Sequence, residues 1–192
     1  MRKGELTRQA ILERASVLAR TVGLEGVTIG RLAEELHLSK SGLFAHFHSK
    51  EKLQVHVIEA AAEEFKRFVI TPASRQPEGE LYIRALFERY LKWAQRPGGC
   101  FFISAAAELD DQPGPVRDAL VCISREWTKT VAKAAQDAIE EGHFRKDLDQ
   151  QQFAFEFQSV LLGAHHALRL LDDTKALHRS RLCFKDLLTR AR

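Results

Sequence analysis

At 192 residues with 45% hydrophobic side chains, the chain can bury a core without help from disulfides or metal. Its three cysteines, Cys100, Cys122 and Cys183, form no CxxC pair, which excludes a disulfide framework and a zinc ribbon. The net charge is only +3, yet it lies entirely in residues 1–50, where eight Lys and Arg face five Glu and leave 21 of each sign for the remainder. A basic segment on a neutral body suits a phosphate-contacting module joined to a regulatory one. The opening MRKGELTRQA has no apolar run of a signal peptide, and no later stretch has the length of a membrane span, so a soluble, cytoplasmic protein is expected.

Helical periodicity runs through almost the whole chain, and neither alternating strands nor internal repeats interrupt it. The spacing predicts a first helix from about Thr7 to Val22, with Ala10, Ile11, Ala15, Leu18, Ala19 and Val22 on one face and Gly23 at its end. Thr28 caps a second helix that turns Ile29, Leu32, Ala33 and Leu36 inward and stops within a turn at His37, Leu38 and Ser39. Ser39 or Lys40 starts a short third helix to about His46, with Leu43 inward and Phe47 closing the cluster. Ser49 caps a fourth helix, which carries Glu51 in its first turn, where the helix dipole favours negative charge. TPASRQPEGE, Thr71 to Glu80, is expected to separate it from a helix reaching about Arg96. After PGG at Pro97 to Gly99 come helices from about Cys100 to Leu109, Val116 to Glu141, Gln150 to Leu171 and Lys175 to Thr189. The expected architecture is all-α, with a three-helix helix-turn-helix head in residues 1–50 and a helical effector-binding and dimerisation domain in residues 51–192.

Two short helices joined by a tight turn and braced by a third can present one helix end to the major groove of DNA. With Leu43 inward, the third helix offers Lys40, Ser41, Gly42, Ala45 and His46, small and polar residues that permit close approach to bases and phosphates. The segment reads TIGRLAEELHLSKSGLFAHFHSKEKL from Thr28 to Leu53. In the spaced positions Leu32, Ala33, Ser39, Leu43, Phe44, His46, Lys50 and Leu53 it resembles the TetR family of repressors. The resemblance implies a DNA-binding set of Thr28, Ser39, Lys40, Ser41, Gly42, Phe44, His46 and Lys50. Thr28 and Lys50 are matched to phosphate contacts, Lys40, Ser41 and Gly42 to bases, and Phe44 and His46 to the backbone and groove wall. Thr28 and Ser39 also read as plain helix caps, a role compatible with phosphate contact. Phe44 stands where the family usually has tyrosine and lacks its hydroxyl. His37 stands where the turn usually has glycine, and a positive φ is uncommon for any other residue, although His is among the tolerated exceptions.

The helix from Gln150 is apolar on more than one face, through Phe153, Phe155, Phe157, Leu161, Leu162, Leu168, Leu170 and Leu171. It reads either as a central core helix or, with the last helix, as a four-helix interface across a two-fold axis; the resemblance points to the homodimer. A two-fold dimer implies a palindromic operator of double-stranded DNA. The resemblance further implies a small-molecule effector, of unknown identity, that shifts the reading heads out of register. Trp93, Phe101, Phe102, Glu108, Trp127 and Phe155 are candidate lining residues, because aromatic side chains with an occasional charge line apolar pockets; core packing is the other reading of each. A thiol sensor at Cys100, at a helix start, is a further alternative. Catalysis is not expected, for no nucleophile motif, phosphate loop or paired-carboxylate signature is present. No cofactor and no metal site are expected either, since the adjacent His165 and His166 point about 100° apart on a helix.

Overall fold

The computed structural model describes residues 3–192, with side chains from residue 8 onward. The described residues are helical without strands: α1 (Lys3–Val22), α2 (Ile29–Leu36), α3 (Lys40–Phe47), α4 (Lys50–Phe65), α5 (Thr71–Ala73), α6 (Glu80–Ala94), α7 (Phe101–Leu109), α8 (Pro115–Glu140), α9 (Gln150–Arg169) and α10 (Ala176–Ala191), with a π-helical turn at Lys66–Ile70 between α4 and α5. Among them, no helix is long and apolar enough to cross a membrane. The chain divides into two compact units, Met1–Glu64 with Cys100–Ile123, and Phe65–Gly99 with Ser124–Arg192.

The first unit is built on α1, α2, α3 and α4. From α1, Ile11, Leu12, Ala15 and Ala19 enter its core, joined by Leu32 and Ala33 of α2, Leu43 and Phe47 of α3, and Leu53, Val57, Ile58 and Ala61 of α4. Ala10, expected inward, is exposed, and Leu12 takes a place on the buried face. Phe101, Ala105 and Leu109 of α7, with Val116 and Leu120 of α8, complete the same cluster. Burying a Leu or Phe side chain is worth roughly 1.5–3 kcal/mol, so Phe101, Leu109 and Leu120 alone are a substantial part of the unit's cohesion. Arg20 Nη1 meets Glu64 Oε2 at 3.1 Å, an arginine side chain only 6% exposed, and ties the last turn of α1 to α4.

The second unit has an aromatic core. Phe87 of α6 stacks on Phe184 of α10 with ring centroids 3.9 Å apart, and Phe157 of α9 meets both edge-on. Arg181 grips Glu88 through two hydrogen bonds of 2.8 Å, which fixes α10 on α6. The break expected over TPASRQPEGE falls at residues 74–79, because helix continues through Thr71 to Ala73. Pro72 has no N–H and its ring would collide with the carbonyl four residues back. The π turn immediately before it widens the helix, with the Thr71 N–H donated to the Lys66 carbonyl, five residues back.

Candidate nucleic-acid interface

The turn between α2 and α3 is closed at both sides by local chemistry. Thr28 is extended (φ −121°, ψ 158°), and its hydroxyl oxygen accepts from the Arg31 N–H at 3.1 Å, so it caps α2. His37 then takes the left-handed conformation, φ 54° and ψ 39°. This lets the His37 N–H reach the Glu34 carbonyl at 3.3 Å and the Leu38 N–H reach that of Ala33 at 2.9 Å, the paired bonds of a Schellman ending. Histidine therefore occupies the position where glycine was expected and keeps the glycine geometry. Ser39 starts α3, accepting from the Gly42 N–H at 3.1 Å. A Cβ at Gly42 would meet the Ser39 Oγ at 2.9 Å, so any larger residue there must displace the cap. Ser49 caps α4 by accepting from the Lys52 N–H at 3.1 Å.

With Leu43 and Phe47 buried, the outer surface of α3 is what remains. Ser39, Lys40, Ser41, Gly42 and Phe44 are exposed, Phe44 to 55%, while Thr28, His46 and Lys50 are half-buried beside them. The eight residues matched to DNA contacts thus sit on the caps of α2 and α3, on α3 itself and at the first residue of α4. That surface holds two lysines, three hydroxyls, open backbone at Gly42 and the rings of Phe44 and His46, groups able to approach base edges and phosphates together. Lys40 Nζ lies 3.8 Å from Glu34 in a pair at least 70% exposed, which leaves the ammonium available. Lys50 is held closer: its Nζ donates to Glu25 Oε2 at 2.7 Å. The Lys50 hydrogen bond, with help from the Gln54 amide and against the opposing effect of burial, keeps the Glu25 carboxyl below the usual carboxylate range.

The residues expected to line an effector pocket fall into three places. Trp93 and Trp127 lie in the second unit, where Phe65 meets them edge-on at 5.4 and 5.1 Å and Tyr90 stacks on Trp127 at 6.4 Å. Phe101 and Phe102 meet edge-on at 5.3 Å in the first unit. Glu108, also in the first unit, spends its carboxylate on backbone: Oε1 accepts from the Leu24 N–H at 3.0 Å and Oε2 from the Glu25 N–H at 2.8 Å. Phe155 is 67% exposed on α9, an outward position rather than an interior one. Cys100 is buried, and among the described residues no group of three His, Cys, Asp or Glu side chains could hold a metal ion. Sequence reasoning missed Glu25 and Gln54 around Lys50, and Phe65 and Tyr90 around the tryptophans. Gln54 stood one helical turn from Lys50 on α4, whereas Glu25, 25 residues away, carried no spacing signal. Tyr90 lies three residues from Trp93 on α6 and was legible from helical spacing, whereas Phe65 reaches both rings from the end of α4, a long-range contact that spacing does not show.

Comparison with known proteins divides the chain by sequence, so that residues 100–123 of the first unit fall within the C-terminal match. Residues 11–57 match the family model described as "Bacterial regulatory proteins, tetR family", and residues 79–184 match "Tetracyclin repressor-like, C-terminal domain". No curated protein matches the sequence. Among solved structures, a TetR transcriptional regulator from Chloroflexus aurantiacus J-10-fl is 26% identical, with a TM-score of 0.86 over 98% of this chain and 96% of its own. A TetR-family transcriptional regulator from Streptomyces coelicolor is 21% identical, with a TM-score of 0.83 over 96% of both chains. AibR in complex with isovaleryl coenzyme A and operator DNA is 22% identical, with a TM-score of 0.68 over 82% of this chain and 85% of its own.

Proposed function

The chain belongs to the TetR family of transcriptional regulators, and on that premise we propose that it is a homodimeric repressor, released from a palindromic operator by a small-molecule effector. The observation that carries this reading is the exposed face of α3, set between two side-chain caps and a left-handed turn and stripped of apolar bulk apart from Phe44. Residues 1–50 act as the reading head and residues 51–192 supply effector binding and dimerisation. Lys40, Ser41 and Gly42 face base edges, Thr28, Ser39 and Lys50 address phosphates, and Phe44 and His46 rest against the groove wall. Such a protein works in the cytoplasm, beside the DNA it reads, and performs no catalysis.

The effector reading assigns the ligand to the neighbourhood of the Trp93, Trp127, Phe65 and Tyr90 cluster, whose rings pack edge-on and stacked in the second unit and could face an apolar or flat ligand. It is supported by AibR, a structural relative described with both an acyl-coenzyme A and operator DNA. The dimer is supported by the outer face of α9. Phe155, Ser159, Leu162, Gly163, His166 and Leu170 recur at helical spacing and are all exposed, although Phe153, Phe157 and Leu161 on the opposite face are buried.

The test is fluorescence anisotropy on duplexes recovered from random DNA by selection on the purified protein, with a scrambled duplex as reference and a salt series for each. Preferential, salt-sensitive binding is expected. Lys40→Ala should cost about 1–3 kcal/mol on the selected duplex and much less on the scrambled one. Equal, weak binding to both duplexes, unchanged by Lys40→Ala, would refute the reading head.

A further inference from the structure

We propose that Glu108 is a positioning residue of the DNA-reading head, holding the turn between α1 and α2 from α7 so that Glu25 fixes the Lys50 ammonium at the start of α4. The proposal rests on the reading of Lys50 as a phosphate contact. Its geometry is a short chain of contacts within the first unit. The two Glu108 oxygens divide between the consecutive N–H groups of Leu24 and Glu25, at 3.0 and 2.8 Å. A carboxylate taking two backbone donors is a charge-assisted, two-point contact, and it fixes orientation as well as distance. Gly23 accommodates it: its φ is +80°, and a Cβ there would lie 2.8 Å from Glu108 Oε1.

The same turn is held from the other side by α4. Gln54, only 2% exposed, donates from Nε2 to the Leu24 carbonyl at 2.9 Å and lies 3.3 Å from Glu25 Oε1. Glu25 Oε2 takes the Lys50 ammonium at 2.7 Å. Lys50 and Gln54 are four residues apart, on one face of α4. The Glu25 backbone therefore answers to Glu108 while its carboxylate answers to Lys50. Without Glu108 the turn loses both amide acceptors, and Glu25 loses the anchor that keeps its side chain against α4. A surface ion pair alone is worth little, so it is the clamped backbone that gives the Glu25–Lys50 contact its fixed place. Residue 108 lies in the stretch that matches the C-terminal family model, residues 79–184, yet its side chain acts on the head.

Two measurements on the full-length protein test the proposal. In the absence of DNA, NMR titration should place the Glu25 carboxyl below the ordinary range in the parent, and Glu108→Ala should return it to the ordinary carboxylate range while speeding amide exchange at Leu24 and Glu25. On the selected duplex, Lys50→Ala should weaken binding about tenfold in the parent but less than about twofold in Glu108→Ala. Glu108→Gln, which keeps one acceptor oxygen, should fall between, and it carries both comparisons should Glu108→Ala fail to fold. A general loss of head stability would give multiplied, independent effects and an unmoved Glu25 titration; either result overturns the proposal. If the parent shows no preference for any duplex, the reading head fails, while the Glu25 titration still decides whether Glu108 positions Glu25.

Discussion

His37 holds a conformation, φ 54° and ψ 39°, that costs an ordinary L-residue roughly 1–2 kcal/mol. Replacing it with glycine removes that strain but frees the unfolded chain by roughly 0.4–1 kcal/mol. The first effect wins, so His37→Gly should gain about 0.5–1 kcal/mol in urea denaturation. His37→Val should lose more than about 1 kcal/mol, since a branched Cβ is the least compatible with a positive φ. Phe44 offers a second single-residue test. It is 55% exposed, so a para-hydroxyl adds no burial cost, and if Phe44 faces a phosphate, Phe44→Tyr should tighten binding by about 1 kcal/mol with no change in the unfolding midpoint. At this scale the sequence is legible where chemistry is local. The caps at Thr28, Ser39 and Ser49 and the unusual turn at His37 follow from neighbours three to five residues away. Lys50 with Glu25, and Glu25 with Glu108, pair across 25 and 83 residues, and no spacing rule reaches that far.

Helix ends follow the same logic. Asp149 accepts from the Gln151 and Gln152 N–H groups at 2.8 and 3.0 Å, a charge and a cap at the positive end of α9. Asp149→Ala should therefore lower stability by about 1 kcal/mol, measured against Asp149→Asn, which keeps one acceptor oxygen. Pro72 sits within helix, and nothing local in the sequence announces the π turn that relieves it. Neither does periodicity announce that α7 packs into the core of α1–α4; that is a long-range choice among apolar faces that all look alike in sequence. Within α9, His165 is buried, with no hydrogen-bond partner for Nε2 among the described residues. Desolvation first, then the positive charges of Arg169 and His166, push its pKa below the ordinary value. The unfolded chain then binds this proton at a higher pH than the folded one, so stability rises with pH across that window. Urea midpoints should fall as pH drops from about 7 toward 5, and less so in His165→Gln. The carboxyls Glu25, Glu80 and Glu88, whose pKa values are lowered by their Lys and Arg partners, act in a separate window: they stabilise above about 4.3 and lose that contribution below it.

For the molecule as a whole, the decisive surface is the outside of α9. The sequence shows this helix as apolar on more sides than one neighbour can cover, and its residues divide cleanly. Phe153, Phe157 and Leu161 are buried against the second unit's own aromatic core, whereas Phe155, Leu162 and Leu170 stay 67%, 55% and 70% exposed. Leaving three such side chains in water forgoes roughly 1.5–3 kcal/mol apiece relative to burial. Beside Leu162, a Cβ built on Gly163 would meet nothing within 4 Å, so a facing helix can approach closely there. In the proposed dimer, a second copy of α9 related by a two-fold axis would present the same stripe and cover it reciprocally. Leu162→Arg places a charge at the centre of that stripe without touching the buried face. Sedimentation should find the parent as a dimer and the variant as a folded monomer with an unchanged circular dichroism spectrum. Because a two-fold dimer engages two half-sites one helical turn or a multiple apart, the monomer should lose its preference for the palindromic duplex and keep a half-site affinity whose salt slope is about half the parent's. A variant that stays dimeric, or a monomer that reads the full palindrome as tightly as the parent, would move the two-fold contact off α9.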